Sequence, residues 1–247
     1  MTSICVICAR DSSKRLPNKN IRPLLGKPLI TWTIEQAKSS DLFELVAVSS
    51  DASSILEIAR SAGADFLIDR PAELASDTAS VLPAILHCVH AAELSVEHKY
   101  DTLVCLQATS PTRTVDDIKD AVALFQGSHA DAVVSGQEAK SSPYFNLVEM
   151  AADGSVHLSK TLDEPIVRRQ DAPACFQLNG SIYVWRRDLF CAAPAVFYPN
   201  TRIFVMPADR SIDIDTELDF TLAELVLSRR SETASRRPPL DNSRHRT

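Results

Sequence analysis

The sequence predicts an α/β fold with a mostly parallel sheet covered on both faces, and three observations predict it. Short apolar runs rich in strand formers recur along the chain, stretches with helical spacing separate them, and polar segments follow the ends of the runs. ICVICA, residues 4 to 9, is the first run. Its abrupt switch to RDSSKRLPNKN marks a buried strand feeding a polar loop that Pro17 and Pro28 punctuate. From Leu29 the spacing changes, and Leu29, Ile30, Thr33, Ile34 and Ala37 share a helical face. FELVAVSS (43 to 50) is the second strand, with Asp51 or Ser53 placed to cap a helix reaching Ala62. A short strand at 65 to 69, a helix from Ser80 to Leu94, the strand TLVCLQ (102 to 107), a helix from Val115 to Phe125 and the strand DAVVSG (131 to 136) extend the alternation. Strands joined through helices need crossover connections and therefore run parallel.

Residues 137 to 175 break the pattern. SSPYFNLVEM, ADGS and VHLSK suit an antiparallel hairpin turning near Asp153-Gly154, in a segment long enough for a lid or a dimerisation arm. SIYVW (181 to 185) and RIFVMP (202 to 207) resume the core pattern, and a last helix is expected over 216 to 228. One domain is thus expected over 1–227, with a basic, disordered tail at 228–247.

The chain has 247 residues, 45% of them hydrophobic, enough for a core without disulfide staples. Its six cysteines are scattered, and four lie in apolar stretches. Cys5 and Cys8 have metal-like spacing, but they fall inside a strand and no second close pair completes a site. Buried thiols and the lack of a signal-like start point to the reducing cytoplasm. No window approaches the length of a membrane span. The net charge of −6 is uneven: the tail carries six Arg against two acids, and the body has 20 basic against 30 acidic residues. An acidic body argues against nucleic acid as a partner.

In a parallel α/β sheet, ligands bind beyond the C-terminal strand ends. The first such segment has neither a GxGxxG nor a P-loop pattern, yet holds Arg10, Lys14, Arg15 and Lys19 within ten residues, beside Ser12, Ser13 and Asn20. Cations so clustered suit phosphate, or an exposed charged loop. In SIDIDTELDF (211 to 220), an extended Ser211–Asp215 would put Asp213 and Asp215 on one face, where they can address a divalent cation, or simply form a solvated turn. RPAELASDTAS (70 to 80) and LQATSPTR (106 to 113) supply amides and hydroxyls fit to recognise a base or a sugar, or to cap helices.

CARDSSKRLPNKNIRPLLGKPLI, RPAELASDTAS, LQATSPTR, RRQDAPACFQLNGSIYVW and SIDIDTELDF resemble, in this order, the motif series of the acylneuraminate cytidylyltransferases, which activate sialic, legionaminic and pseudaminic acids. The similarity spans about residues 3 to 227. It implies a homodimeric, Rossmann-like nucleotidyltransferase fold with an inserted antiparallel dimerisation arm. The implied reaction makes a CMP-sugar and pyrophosphate from CTP and a nine-carbon 2-keto sugar acid, with Mg²⁺. On that pattern Arg10, Ser13, Lys14 and Asn20 hold CTP, with Lys14 nearest the reacting phosphates. Arg70 and Ser80 line the nucleotide pocket, Gln107 meets the sugar, Arg169 is a sugar-site arginine that can act across the dimer, and Asp213 and Asp215 hold the metal.

The match has departures. Cys8 stands where the family commonly has proline, Asp11 and Arg15 where glycine is frequent, and Ala108 replaces a proline. Phe145 falls where sialic acid enzymes carry a lysine; with Tyr144 it favours an apolar contact, as to a deoxy carbon or an N-acyl methyl. Two alternatives stay open: activation of 3-deoxy-manno-octulosonate, whose enzymes share the RLP portion of the first loop, and a catalytically silent sugar-nucleotide binding protein.

Overall fold

A computed structural model describes residues 1–11, 15–76, 80–164 and 167–235. Its strands are β1 (Ser3–Cys8), β2 (Pro23–Leu24), β3 (Lys27–Pro28), β4 (Leu45–Ser50), β5 (Phe66–Asp69), β6 (Thr102–Leu106), β7 (Ala132–Glu138), β8 (Val148–Met150), β9 (Val156–Leu158), β10 (Phe176–Arg186) and β11 (Thr201–Val205). Its helices are α1 (Leu29–Ser39), α2 (Ser53–Ser61), α3 (Val81–Val96), α4 (Val115–Ser128), α5 (Arg187–Ala192) and α6 (Glu217–Ser235).

Seven strands form one sheet in the order β11-β7-β10-β6-β1-β4-β5. All pairings are parallel except those of β10, which runs antiparallel between β6 and β7. Alternation along β1 explains how both faces are covered. Cys5 and Ile7 face a core shared with α1, α2 and α4, while Ile4, Val6 and Cys8 face α3 and α5. Cys5, Cys8, Cys88 and Cys105 are all buried. A third, smaller cluster of Leu16, Leu24, Leu29, Ile214, Phe220 and Leu227 seats α6 against the segment after β1. The 137–175 segment contains the expected hairpin, β8 pairing antiparallel with β9 through a turn at Gly154, whose φ of +85° needs glycine.

The structure corrects three local expectations. Strand β10 starts at Phe176 rather than Ser181, because Phe176–Leu178 pair with Gly136–Glu138 before the register shifts next to Asn179. Asp51 does not cap α2: Ala52 holds the cap position, and the Asp51 carboxylate accepts from the Asp11 amide at 3.0 Å. The last helix runs on to Ser235, so residues 228–235 of the expected tail are helical, and residues 236–247 lie outside the described ones. Tertiary bonds explain that extension. Arg230 donates to the Thr112 carbonyl at 2.5 Å and to the Asp209 carboxylate at 2.7 Å, which holds the added turns onto the body. Among the described residues, no helix is long and apolar enough to cross a membrane.

Candidate active site

The loops after the parallel strands gather at one end of the sheet because backbone bonds tie them there. Ala9 donates to the Ser49 carbonyl at 3.0 Å, Arg70 to the Ser50 carbonyl at 2.8 Å, and Ile214 to the Thr109 carbonyl at 2.9 Å. The cationic and acidic segments of the sequence meet at this mouth through Lys19.

On the cationic side, the Arg10 guanidinium reaches the Ser76 carbonyl at 3.4 Å. Asn20 is buried and donates from Nδ2 to the Arg10 carbonyl at 2.9 Å, while its Oδ1 finds no donor among the described residues. Such an orphaned acceptor is expensive unless a ligand or water completes it. Arg70 is also buried, its fork donating to the Ser49 hydroxyl at 3.1 Å and the Ser49 carbonyl at 2.6 Å. Ser80 caps α3 by accepting the Leu82 amide at 3.3 Å. Ser13 and Lys14 lie outside the described residues.

Lys19 joins the two sides. Nearly buried, it donates from Nζ to the Ile214 carbonyl at 2.6 Å and to Asp215 Oδ1 at 2.8 Å. Asp213 Oδ1 accepts the Thr109 hydroxyl at 2.5 Å, and Asp213 Oδ2 lies against Gly180. The Asp213 carboxyl remains open to solvent at the mouth but is ringed by protein. Partial burial is the main cause that pushes its pKa up; the Thr109 hydrogen bond opposes the rise, the Asp215 charge adds to it and Lys19 resists it. Asp213 thus holds a proton more readily than an ordinary surface carboxylate would. Two helix-start carboxylates are otherwise engaged: Glu217 pairs with Arg22 at 2.6 Å, and Asp219 exchanges hydrogen bonds with Thr216.

Gln107 stands beside this pair on the loop after β6. Its backbone amide donates to the Ser181 carbonyl at 3.1 Å, while among the described residues its side-chain amide makes only a 4.0 Å contact, to Cys105 Sγ. The loop is braced from inside by Arg113, which is buried and donates to the Gln107 carbonyl at 2.9 Å, the Ser181 carbonyl at 3.2 Å and the Thr33 hydroxyl at 2.7 Å. Burial pushes the Arg113 pKa down to about 10. Asn179 plays the matching part under the acidic loop. Its Oδ1 accepts the Ser135 hydroxyl at 2.6 Å and its Nδ2 donates to the Ser211 hydroxyl at 2.9 Å, so the bulge in β10 grips the residue two before Asp213. Lys19, Thr109, Arg113 and Asn179 all fall inside the quoted motifs, but nothing in their spacing shows which partner each one takes.

Tyr144 and Phe145 lie in the 137–175 segment, with Lys160 Nζ 5.8 Å from the Tyr144 ring centroid. Arg169 folds back on the arm's root, donating to the Lys140 carbonyl at 2.5 Å and the Ala139 carbonyl at 3.2 Å. It lines a cavity of about 510 Å³ with Gln137, Lys140, Met206 and Pro207, between the arm and the loop leading to Asp213.

Known proteins resemble this chain over most of its length. A family model described as cytidylyltransferase matches residues 4–202. The chain is 36% identical over 228 residues to the post-translational flagellin modification protein B of Campylobacter coli, covering 92% of this chain and 96% of that one. It is also 36% identical over 225 residues to the CMP-N,N'-diacetyllegionaminic acid synthase of Campylobacter jejuni subsp. jejuni, covering 91% and 94%. A solved structure of CMP:2-keto-3-deoxy-manno-octonic acid synthetase complexed with CTP superposes with a TM-score of 0.66 at 17% identity, over 93% of this chain and all of that one; it is similar in fold.

Proposed function

Because the chain belongs to the acylneuraminate cytidylyltransferase family, we propose that it transfers CMP from CTP to the anomeric hydroxyl of a nine-carbon 2-keto sugar acid of the legionaminic or pseudaminic type, releasing pyrophosphate. The observation that carries the reading is the junction at Lys19, where the cationic loop and the Asp213/Asp215 loop meet through hydrogen bonds of 2.6 and 2.8 Å. Phosphate chemistry needs both signs of charge at one place.

Arg10, Ser13, Lys14 and Asn20 hold CTP, with Lys14 nearest the reacting phosphates, and the orphaned Oδ1 of Asn20 fits a ligand donor such as a ribose hydroxyl. Arg70 and Ser80 border the nucleotide. Among the described residues no three His, Cys, Asp or Glu side chains gather into a metal cage. Asp213 and Asp215 nevertheless fit Mg²⁺, which commonly takes one or two carboxylates and completes its shell with water and substrate phosphates. Bound there, Mg²⁺ would withdraw charge from the phosphates. The sugar hydroxyl oxygen forms its bond to the α-phosphorus as the bond to pyrophosphate breaks in line behind it, and the hydroxyl proton passes to water held at the Asp213 carboxylate. Positioning of the two substrates supplies much of the rate, and Lys14 and Arg10 stabilise the oxygens that gain charge.

Gln107 orients the sugar, Arg169 takes its carboxylate, and Tyr144 with Phe145 meets a methyl-bearing end. The identity with the legionaminic acid enzyme supports that choice. A homodimer is supported by the apolar side chains exposed on the arm, including Val148, Met150 and Val156. The test is an assay of pyrophosphate and CMP-linked product with CTP, Mg²⁺ and a panel of sugar acids. Turnover of the nine-carbon deoxy acids is expected. Turnover of the octulosonate alone, or of none, overturns the reading, and a preference of about tenfold or more for N-acetylneuraminate overturns the choice of sugar. Mixing Arg169→Ala with Lys14→Ala chains tests the arm: activity that reappears after subunit exchange places Arg169 in its partner's site.

A further inference from the structure

We propose that Arg230, on α6 and beyond the segment matched by the family model, is a positioning residue that sets the spacing between the Thr109 loop and the Asp213 loop. The segment from Met206 to Thr216 contains one short 3-10 turn, Ala208–Arg210, so its path depends on bonds to its surroundings. Two bonds join the Thr109 loop to it near the mouth: the Thr109 hydroxyl to Asp213 at 2.5 Å, and the Ile214 amide to the Thr109 carbonyl at 2.9 Å. Arg230 joins the same two loops from behind. One nitrogen donates to the Thr112 carbonyl at 2.5 Å, and the other to the Asp209 carbonyl at 3.0 Å and its carboxylate at 2.7 Å.

The planar fork makes this a spacer. Both nitrogens belong to one rigid group, so the two loops cannot separate without breaking a charge-assisted bond. A second brace fixes the angle: Arg210, next to Asp209, pairs with the buried Asp117 at 2.9 Å, and Asp117 in turn caps α4 with Thr114. Arg210 therefore anchors the acidic loop to α4, while Arg230 sets its distance from the Thr109 loop. Neither arginine contacts Asp213 itself in the hydrogen bonds of the described residues, so the effect is transmitted through backbone.

The catalytic half of this assignment rests on the cytidylyl-transfer reading, and the structural half does not. The experiment is hydrogen exchange by mass spectrometry on the full chain, paired with steady-state kinetics, for Arg230→Ala, Arg230→Lys and the exposed neighbour Arg229→Ala. Arg230→Ala should speed exchange in residues 107–113 and 207–216 and leave β1 and β4 as in the parent. Its kcat should fall roughly tenfold with KM for CTP changed less than about twofold, because misplacement of a reacting group costs rate more than binding. Arg230→Lys, able to reach one loop at a time, should fall between, and Arg229→Ala should match the parent.

Parental exchange in both segments overturns the proposal whether or not the parent turns over CTP. So does a uniform rise across the sheet, the mark of general destabilisation, or local loosening without loss of kcat in an active parent. If Arg230→Ala does not fold, the Lys variant decides on the same criteria. A parent that makes no CMP-sugar counts against the transfer reading alone, since the exchange data still decide the clamp.

Discussion

Replacing Gly180 with alanine tests the geometry around Asp213. Gly180 sits where β10 shifts register and has φ of +61°. A side chain in that left-handed region costs about 1–2 kcal/mol, and the loss of chain freedom in the unfolded state returns about 0.4–1 kcal/mol. The net loss is about 1 kcal/mol, a fall in Tm of about 3 °C for a chain of this length. The new methyl would also meet Asp213 Oδ2 at 3.3 Å and its Cγ at 3.8 Å, so the carboxylate must give by a few tenths of an ångström. That movement acts on the 2.5 Å bond to Thr109. We expect kcat to fall about tenfold beyond any loss of folded protein. Gly63→Ala separates the two effects: its φ is +89°, yet a Cβ there meets nothing within 4 Å. It should lose comparable stability and keep parental kcat. Thermal melts and steady-state rates on both variants decide. If Gly180→Ala melts with Gly63→Ala but turns over within about twofold of the parent, the Asp213 carboxylate does not work in the position described. Undiminished stability would refute the backbone argument.

Asp213→Asn should abolish most activity and yet not destabilise the chain at neutral pH. Burial raises the Asp213 pKa above its unfolded value, so the charged form costs stability above the folded pKa, and the cost is relieved as pH falls through it. Melting curves from neutral pH down to the ordinary carboxylate range should show the Asn variant's advantage shrinking, and a lower Tm than the parent at neutral pH counts against the assignment. Glu93→Ala strands Arg187, whose guanidinium Glu93 holds in a two-pronged, nearly buried pair between α3 and α5. A loss of about 3 kcal/mol or more should follow in urea unfolding, and a loss under about 1 kcal/mol would make the pair a surface one. Lys14→Ala should cut turnover roughly 10²-fold with the fold retained, and turnover within about twofold of the parent removes Lys14 from the chemistry.

The sheet was legible because its central strands are buried on both faces and so read as unbroken apolar runs, as ICVICA and TLVCL do. The misses lie where tertiary contacts decide. Phe176–Leu178 are exposed, and only their pairing with Gly136–Glu138 makes them strand. A Cβ on Gly136 would meet the Gln177 carbonyl at 2.8 Å, so that pairing depends on glycine as much as on strand propensity. The stretch SRRSETAS lacks apolar spacing and reads as solvated tail, but Arg230 finds three acceptors more than 20 residues away and the helix continues.

The site divides along the same line. Charge is local information, so the cationic loop and the Asp213/Asp215 pair could be picked out from composition alone. Compensation is not local: Lys19 meets Asp215 across 196 residues and Thr109 meets Asp213 across 104. The sequence counts Lys19 among the cations available to phosphate, whereas the fold directs its ammonium to a carboxylate and a carbonyl of the acidic loop. The protein thereby offsets part of the charge of its own acidic pair, and it does so unequally. Asp215 has an ion pair at 2.8 Å, while Asp213 has a hydroxyl donor and a raised pKa. The carboxylate left without a salt bridge among the described residues is the one whose charged form burial disfavours. On the proposed transfer, a cation or a proton arriving with the substrates would be best received at Asp213, and the bonds that brace Thr109 and Ser211 place its carboxylate before any substrate binds.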